Sequence, residues 1–235
     1  MAEQLVFDLP ARPALGRADF YVSPANADAV ALVDGGAAWP NGRMVLAGPE
    51  GAGKSHLAAV WSSETGAAVV AADAIDAPDR LATAGRVVVE DADRPLGRDG
   101  EVALFHLANL LAQSGGRLLL TARTPPARWP VRLPDLASRM QASGLATLAP
   151  PDDALLSAVL VKQFADRQIA PPAALIPWLV LRIDRSFAAA ADAVDRLDRA
   201  ALVEGRPITR ALARRVLHLG PDGDTDVIGT SPETG

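Results

Sequence analysis

The sequence contains no cysteine. That excludes disulfides and any cysteine-held metal, and it fits a reducing compartment. Histidine is scarce as well: His56, His106 and His218 are far apart and lack the spacing of a metal motif. No apolar run approaches the roughly 18 residues of a membrane-spanning helix. The N-terminus lacks a basic region followed by an apolar one, so it does not read as a secretory signal, and the expected location is the cytoplasm. Aromatic residues make up only 4% of the chain and the net charge is −5. Both speak against a non-specific nucleic-acid binder, which needs Lys and Arg on phosphates and rings under bases. Lysine is nearly missing too: of 23 basic residues only Lys54 and Lys162 are lysines.

The 235 residues suffice for one or two domains with a real core. Four segments are expected: an arm over 1–17, an α/β domain over 18–150, a helical lid over 151–219, and a disordered tail over 220–235 rich in Gly, Asp, Thr and Pro. Within 18–150 strands are expected at 43–48, 67–73, 86–91, 117–123 and 144–150, with helices at 24–34, 54–64, 75–84, 100–114 and 133–141. Val87, Val88 and Val89 run without a polar break, as in a strand covered on both faces. Alternating strands and helices predict an α/β fold, a five-stranded parallel sheet flanked by helices. From Asp152 the pattern is helical only. Leu156, Val159, Leu160 and Phe164 line a first helix, and a second covers 172–183. Ser186 caps a third, which buries Phe187, Ala190, Val194, Leu197 and Ala201. Asp192–Arg196 and Asp195–Arg199 are expected as i,i+4 pairs on its wet face. A fourth covers 209–219. Trp178 reads as core, and Arg206, Arg210 and Arg214 as a solvated stripe.

"GPEGAGKS" (48–55) satisfies GxxxxGK[ST] between a strand and a helix. Gly48, Gly51 and Gly53 let backbone N–H groups curl around a phosphate, Lys54 brings an ammonium to the β- and γ-phosphates, and Ser55 offers a hydroxyl to Mg²⁺. One of two lysines thus stands where a compact point charge is wanted. Glu90 and Asp91 end a neighbouring strand, where one holds the Mg²⁺ shell and the other polarises water. Their order is unusual, because the aspartate ordinarily comes first. Thr121 ends the fourth strand as a polar sensor candidate, and Arg139 in "LASRMQ" is a candidate arginine finger. The arm holds "QLVFDLP" (4–10), with Leu5, Phe7 and Leu9 in alternation before Pro10. An extended segment of this kind suits capture by a groove or addition to a sheet.

Together "GPEGAGKSHLA", "VVVED", "LFHLANLL", "LLLTARTPP", "LPDLASRM" and the trailing helices resemble an AAA+ P-loop NTPase of the DnaA family, including its short Hda-type regulatory inactivators. The resemblance covers about residues 4–219. It implies ADP or ATP with Mg²⁺ on the segment Gly48, Pro49, Glu50, Gly51, Ala52, Gly53, Lys54, Ser55 and His56, with Phe20, Val22 and Asn26 near the adenine. It implies that Gln4, Leu5, Val6, Phe7, Asp8 and Leu9 bind the DNA polymerase III β sliding clamp, in the place of the N-terminal interaction domain of DnaA. The partners it implies are the clamp, DnaA, DNA through the clamp, and no membrane; a homo-oligomer is allowed. Arg139 would act in trans on the ATP of DnaA, an effect worth roughly 10³–10⁵ in rate. One departure is visible: Ala188 stands where the family's lid offers a sensor arginine, and Arg185, one turn earlier, is the candidate substitute. Two other readings compete. A DNA-acting AAA+ ATPase, such as a helicase loader or transposition ATPase, would want a basic arm or aromatic platform. A small-molecule P-loop kinase would not carry an all-helical domain after the fifth strand.

Overall fold

A computed structural model describes residues 20–219. Five strands are present: β1 Arg43–Ala47, β2 Ala68–Ala71, β3 Arg86–Glu90, β4 Arg117–Ala122 and β5 Gly144–Thr147. They form one sheet in the order β2-β3-β4-β1-β5, and every neighbouring pair is parallel. Five helices accompany them: α1 Ala27–Asp34, α2 Lys54–Thr65, α3 Pro78–Ala82, α4 Gly97–Ser114 and α5 Pro134–Gln141.

Successive side chains of a strand point to opposite faces, and both faces are apolar here. Met44, Leu46, Val88 and Leu119 pack with Leu57 and Trp61 of α2. Val45, Val87, Val89, Leu118 and Leu120 pack with Leu104, Leu107 and Leu111 of α4. Covering on both sides explains the unbroken Val and Leu runs. Strand β2 is shorter than its sequence pattern because Ala72–Ala74 tighten into a 3-10 turn.

The lid comprises α6 Asp153–Asp166, α7 Leu175–Val180, α8 Phe187–Glu204 and α9 Arg210–Val216, around a separate core of Leu160, Phe164, Trp178, Leu179, Val194 and Leu197. Three caps fix its helix starts: Asp152 accepts from Leu155 N at 2.7 Å, Ser186 from Ala189 N at 3.0 Å, and Thr209 from Leu212 N at 3.2 Å. Helix α7 is shorter than expected; Pro172 precedes it and Pro177 falls in its first turn, where no N–H is required. Phe187 and Ala201 are only half-buried. Asp192 pairs with Arg196, whereas Asp195 reaches Arg167, the C-cap of α6, instead of Arg199, so that pair ties α8 to the end of α6.

Candidate functional site

The segment from Gly48 to Gly53 links β1 to α2 at the carboxyl ends of the parallel strands, where α/β sheets bind ligands. Gly51 and Gly53 take φ of +72° and +92°, a region side chains rarely adopt. They also lie against the lid: a Cβ on Gly51 would fall 2.4 Å from Ser186 Cβ, and one on Gly53 would fall 2.6 Å from the Phe187 ring. The Phe187 N–H donates to Gly51 O at 2.9 Å, so the start of α8 rests directly on this loop.

Lys54 is buried, and its ammonium donates to the carbonyls of Gly48 and Pro49, both at 2.8 Å. Burial lowers its pKa below the ordinary value; Asp91 and Asp93 oppose that, Arg123 adds to it, and Glu50 opposes it. A phosphate arriving here would replace the two carbonyls as the partner of this charge.

Glu90 is the hub of the acidic strand end. Its Oε2 accepts from Ser55 Oγ at 2.8 Å and from Thr121 Oγ1 at 2.9 Å. Thr121 is fully buried and also accepts the N–H of Asp91 at 3.0 Å. The extra methylene of Glu90 is thus what spans from β3 to Ser55. An octahedral Mg²⁺ with ligands at about 2.0–2.1 Å holds adjacent oxygens roughly 2.9 Å apart. The Ser55–Glu90 separation matches that edge, so these two residues fit Mg²⁺, with water and phosphate completing the shell. The described residues contain no cluster of three or more His, Cys, Asp or Glu suited to a metal. Asp91 stands at φ +58° with its carboxylate 2.6 Å from Arg94.

Two residues beside the loop were missed in the sequence. Asp93 Oδ2 accepts the N–H groups of Arg123 and Thr124 at 2.9 and 3.2 Å, tying the β3 exit to the β4 exit. The Arg123 guanidinium lies 3.3 Å from Glu50 in the phosphate loop. The repeated acid in "EDAD" and the basic end of "LLLTAR" were the available signals.

The remaining candidates are distributed unevenly. The Phe20 ring meets His56 edge-on at 5.1 Å, which brings the entry segment to the helix that follows Ser55. Asn26 is buried, but its amide serves the local turn, donating to Tyr21 O and accepting from Ser23 N. Val22 is exposed. Arg185 pairs with Asp153 of α6 at 2.7 Å instead of turning to the phosphate loop. Residues 4–9 and 220–235 lie outside the described residues.

Arg139 is at the other end of the sheet. Helix α5 leads into β5, whose Gly144 is in register with Met44 at the start of β1. The phosphate loop leaves the far end of β1 at Gly48, four residues on, roughly 13 Å away at strand rise. Helix α4 sets α5 in two ways. Buried Glu101 accepts the N–H groups of Arg132 at 3.1 Å and Leu133 at 2.7 Å, just before α5 begins. Phe105 lies under the Arg139 guanidinium, 4.9 Å from it.

No protein-family model matches the chain. In sequence it is 27% identical over 146 residues to the chromosomal replication initiator protein DnaA of Thermomicrobium roseum. The match takes in 62% of this chain and 31% of that protein, so the chain spans about a third of the curated relative. In structure it is similar to domain III of the Thermotoga maritima replication initiation protein DnaA, with TM-score 0.73 and 20% identity over 89% of this chain and 98% of that one. AMPPCP-bound DnaA from Aquifex aeolicus gives 0.64 and 14%, over 83% and 67% of the two chains. The Thermotoga maritima RuvB Holliday junction branch migration motor gives 0.59 and 18%, over 75% and 61%. The fold is therefore that of an AAA+ P-loop NTPase. Its sequence likeness within that class is to DnaA. No described helix is long and apolar enough to cross a membrane.

Proposed function

We propose that this protein binds ADP or ATP with Mg²⁺ and regulates the replication initiator DnaA. In this reading residues 4–9 dock on the DNA polymerase sliding clamp, and Arg139 enters the nucleotide site of an adjoining DnaA molecule. There the guanidinium stabilises charge spreading over the transferring phosphoryl group and speeds hydrolysis of the DnaA-bound ATP. The ADP form that results would no longer start a new round of replication.

One observation carries the proposal. Arg139 stands at the end of the sheet opposite this chain's own phosphate loop and has no ion-pair partner among the described residues. It is therefore suited to a neighbour's nucleotide and not to its own. The sequence likeness to DnaA supports a DnaA-type neighbour, since AAA+ modules of one kind assemble through matching surfaces. Nucleotide binding is supported by the loop geometry and by the AMPPCP-bound relative. Own hydrolysis is expected to be slow, because Asp91 is held by Arg94 and the lid presents Ala188 and an engaged Arg185.

The test is turnover of DnaA-bound ATP on clamp-loaded DNA, with and without this protein. Stimulation is expected, and it should disappear when Gln4, Leu5 and Phe7 are replaced by Ala, although nucleotide binding persists. Equal turnover with and without the protein would refute the regulatory reading, and unchanged co-elution of the triple variant with the clamp would refute the docking segment.

A further inference from the structure

Arg43 opens β1 and is only 5% exposed. Its Nε is buried with no hydrogen-bond partner. No carboxylate pairs with it among the described residues. Its neighbour Met44 is in register with Gly144 of β5, and the helix that leads into β5 carries a second arginine, Arg139, whose charge acts on Arg43. Burial and that like charge both lower the Arg43 pKa from the ordinary arginine value. Arginine nonetheless keeps its proton in proteins, so two positive guanidiniums share one end of the sheet.

An unpaired buried charge is costly unless a partner satisfies it. Within the described residues the pair has only the Phe105 ring, against Arg139. A ring face holds a guanidinium in place without neutralising it. What the two arginines lack is an oxyanion, and planar guanidiniums match phosphate geometry.

We propose that Arg43 and Arg139 form a two-guanidinium receptor for a phosphate group of a nucleotide held by a neighbouring AAA+ molecule. Arg139 touches the phosphate. Arg43 is a positioning residue: from the buried side its charge repels the Arg139 guanidinium outward and adds to the positive potential there. The inference rests on the reading of Arg139 as a finger in trans, and it adds Arg43 to that machinery.

The first experiment needs no partner. Inorganic tripolyphosphate is titrated into the full chain carrying Lys54→Ala, which removes the ammonium of the chain's own phosphate loop. Adding Arg139→Ala, which removes the charge-assisted contact itself, is expected to weaken binding by about tenfold or more, and adding Arg43→Met, which removes the charge behind it, by about threefold to tenfold. Equal affinity with and without Arg43→Met would overturn the receptor. The second experiment separates positioning from packing. Arg43→Met alone removes an unpaired buried charge, so Tm is expected to rise by about 2–4 °C, whereas a residue present only for packing would lower it. Arg43→Lys is expected to restore tripolyphosphate binding in part; no recovery, like a lowered Tm in Arg43→Met, would argue for packing and against the proposal.

The third experiment identifies the source of the phosphate. ATP turnover is followed with DnaA present, and with this chain alone at rising concentration. Loss of stimulation by Arg43→Met in the first case assigns the phosphate to DnaA, and loss of a concentration-dependent rate in the second assigns it to another copy. If the unaltered protein stimulates neither, the proposed function fails, and the tripolyphosphate titration still decides the receptor.

Discussion

At the carboxyl ends of the strands every principal charge has a partner. Lys54 holds the Gly48 and Pro49 carbonyls, Glu90 takes the Ser55 and Thr121 hydroxyls, Asp91 pairs with Arg94, and Arg123 pairs with Glu50. At the amino ends, neither Arg43 nor Arg139 has a carboxylate partner among the described residues. A site that holds its own ligand can be pre-organised by internal hydrogen bonds, since those bonds are exchanged for ligand contacts when the ligand enters. A site that completes someone else's must leave its charge unspent until that partner arrives. Under the proposed function the two ends of one five-stranded sheet have opposite roles.

The largest expected effect falls at the amino end. Arg139→Ala should reduce stimulated turnover of DnaA-bound ATP by roughly 10³ or more, with this chain's own nucleotide affinity unchanged. Stimulation at the full rate would remove the contrast between the ends. Next comes Lys54→Ala at the carboxyl end. It should weaken ADP and ATP binding by about 100-fold, the scale of a charge-assisted contact to phosphate. Fluorescent-nucleotide titration measures it, and affinity within twofold of the unaltered protein would deny the loop its ligand.

The placement of α5 can be probed through Glu101. Its carboxylate accepts backbone N–H groups from Arg132 and Leu133 while buried. Glu101→Gln turns an ionic acceptor into a neutral amide that also brings donors, at a cost of about 1–3 kcal/mol. Thermal unfolding should show the loss. Because those N–H groups lead directly into α5, stimulation should fall more than nucleotide affinity; equal losses would mean that Glu101 serves only the fold.

Much of this was legible in the residues. The valine and leucine runs imply strands covered on both faces, and β3 and β4 are buried in that way. "GPEGAGKS" marks the loop because glycines, lysine and serine at that spacing have a single common use. Ser186 as a cap and Trp178 as core follow from local rules and are found so. Other features depend on contacts between distant segments. Nothing local distinguishes Arg43 from an ordinary charge at a strand start, and its burial arises only when β1 is enclosed by β4 and β5. Glu101 reads as a first-turn helix acid, yet its partners come 31 and 32 residues later. Asp195 has Arg199 one turn away, and takes Arg167, the C-cap of another helix, instead.

The smallest expected effect is the most discriminating for the lid. The resemblance to DnaA made Arg185 the candidate substitute for the cation missing at Ala188. In the structure its guanidinium joins Asp153, with both side chains more than half exposed. An exposed pair of this kind is worth about 0–1 kcal/mol, and neither member touches the phosphate loop. What does touch it is uncharged: the Phe187 N–H on Gly51 and the Phe187 ring over Gly53. Such a lid is expected to respond to the loop and not to a third phosphate. Arg185→Ala should therefore change ADP and ATP affinities by less than about twofold and leave their ratio unaltered, because the charge removed was balanced on the surface. A selective loss of ATP affinity would mean that Arg185 leaves Asp153 when ATP is bound, giving the carboxyl end of the sheet an uncommitted cation of its own.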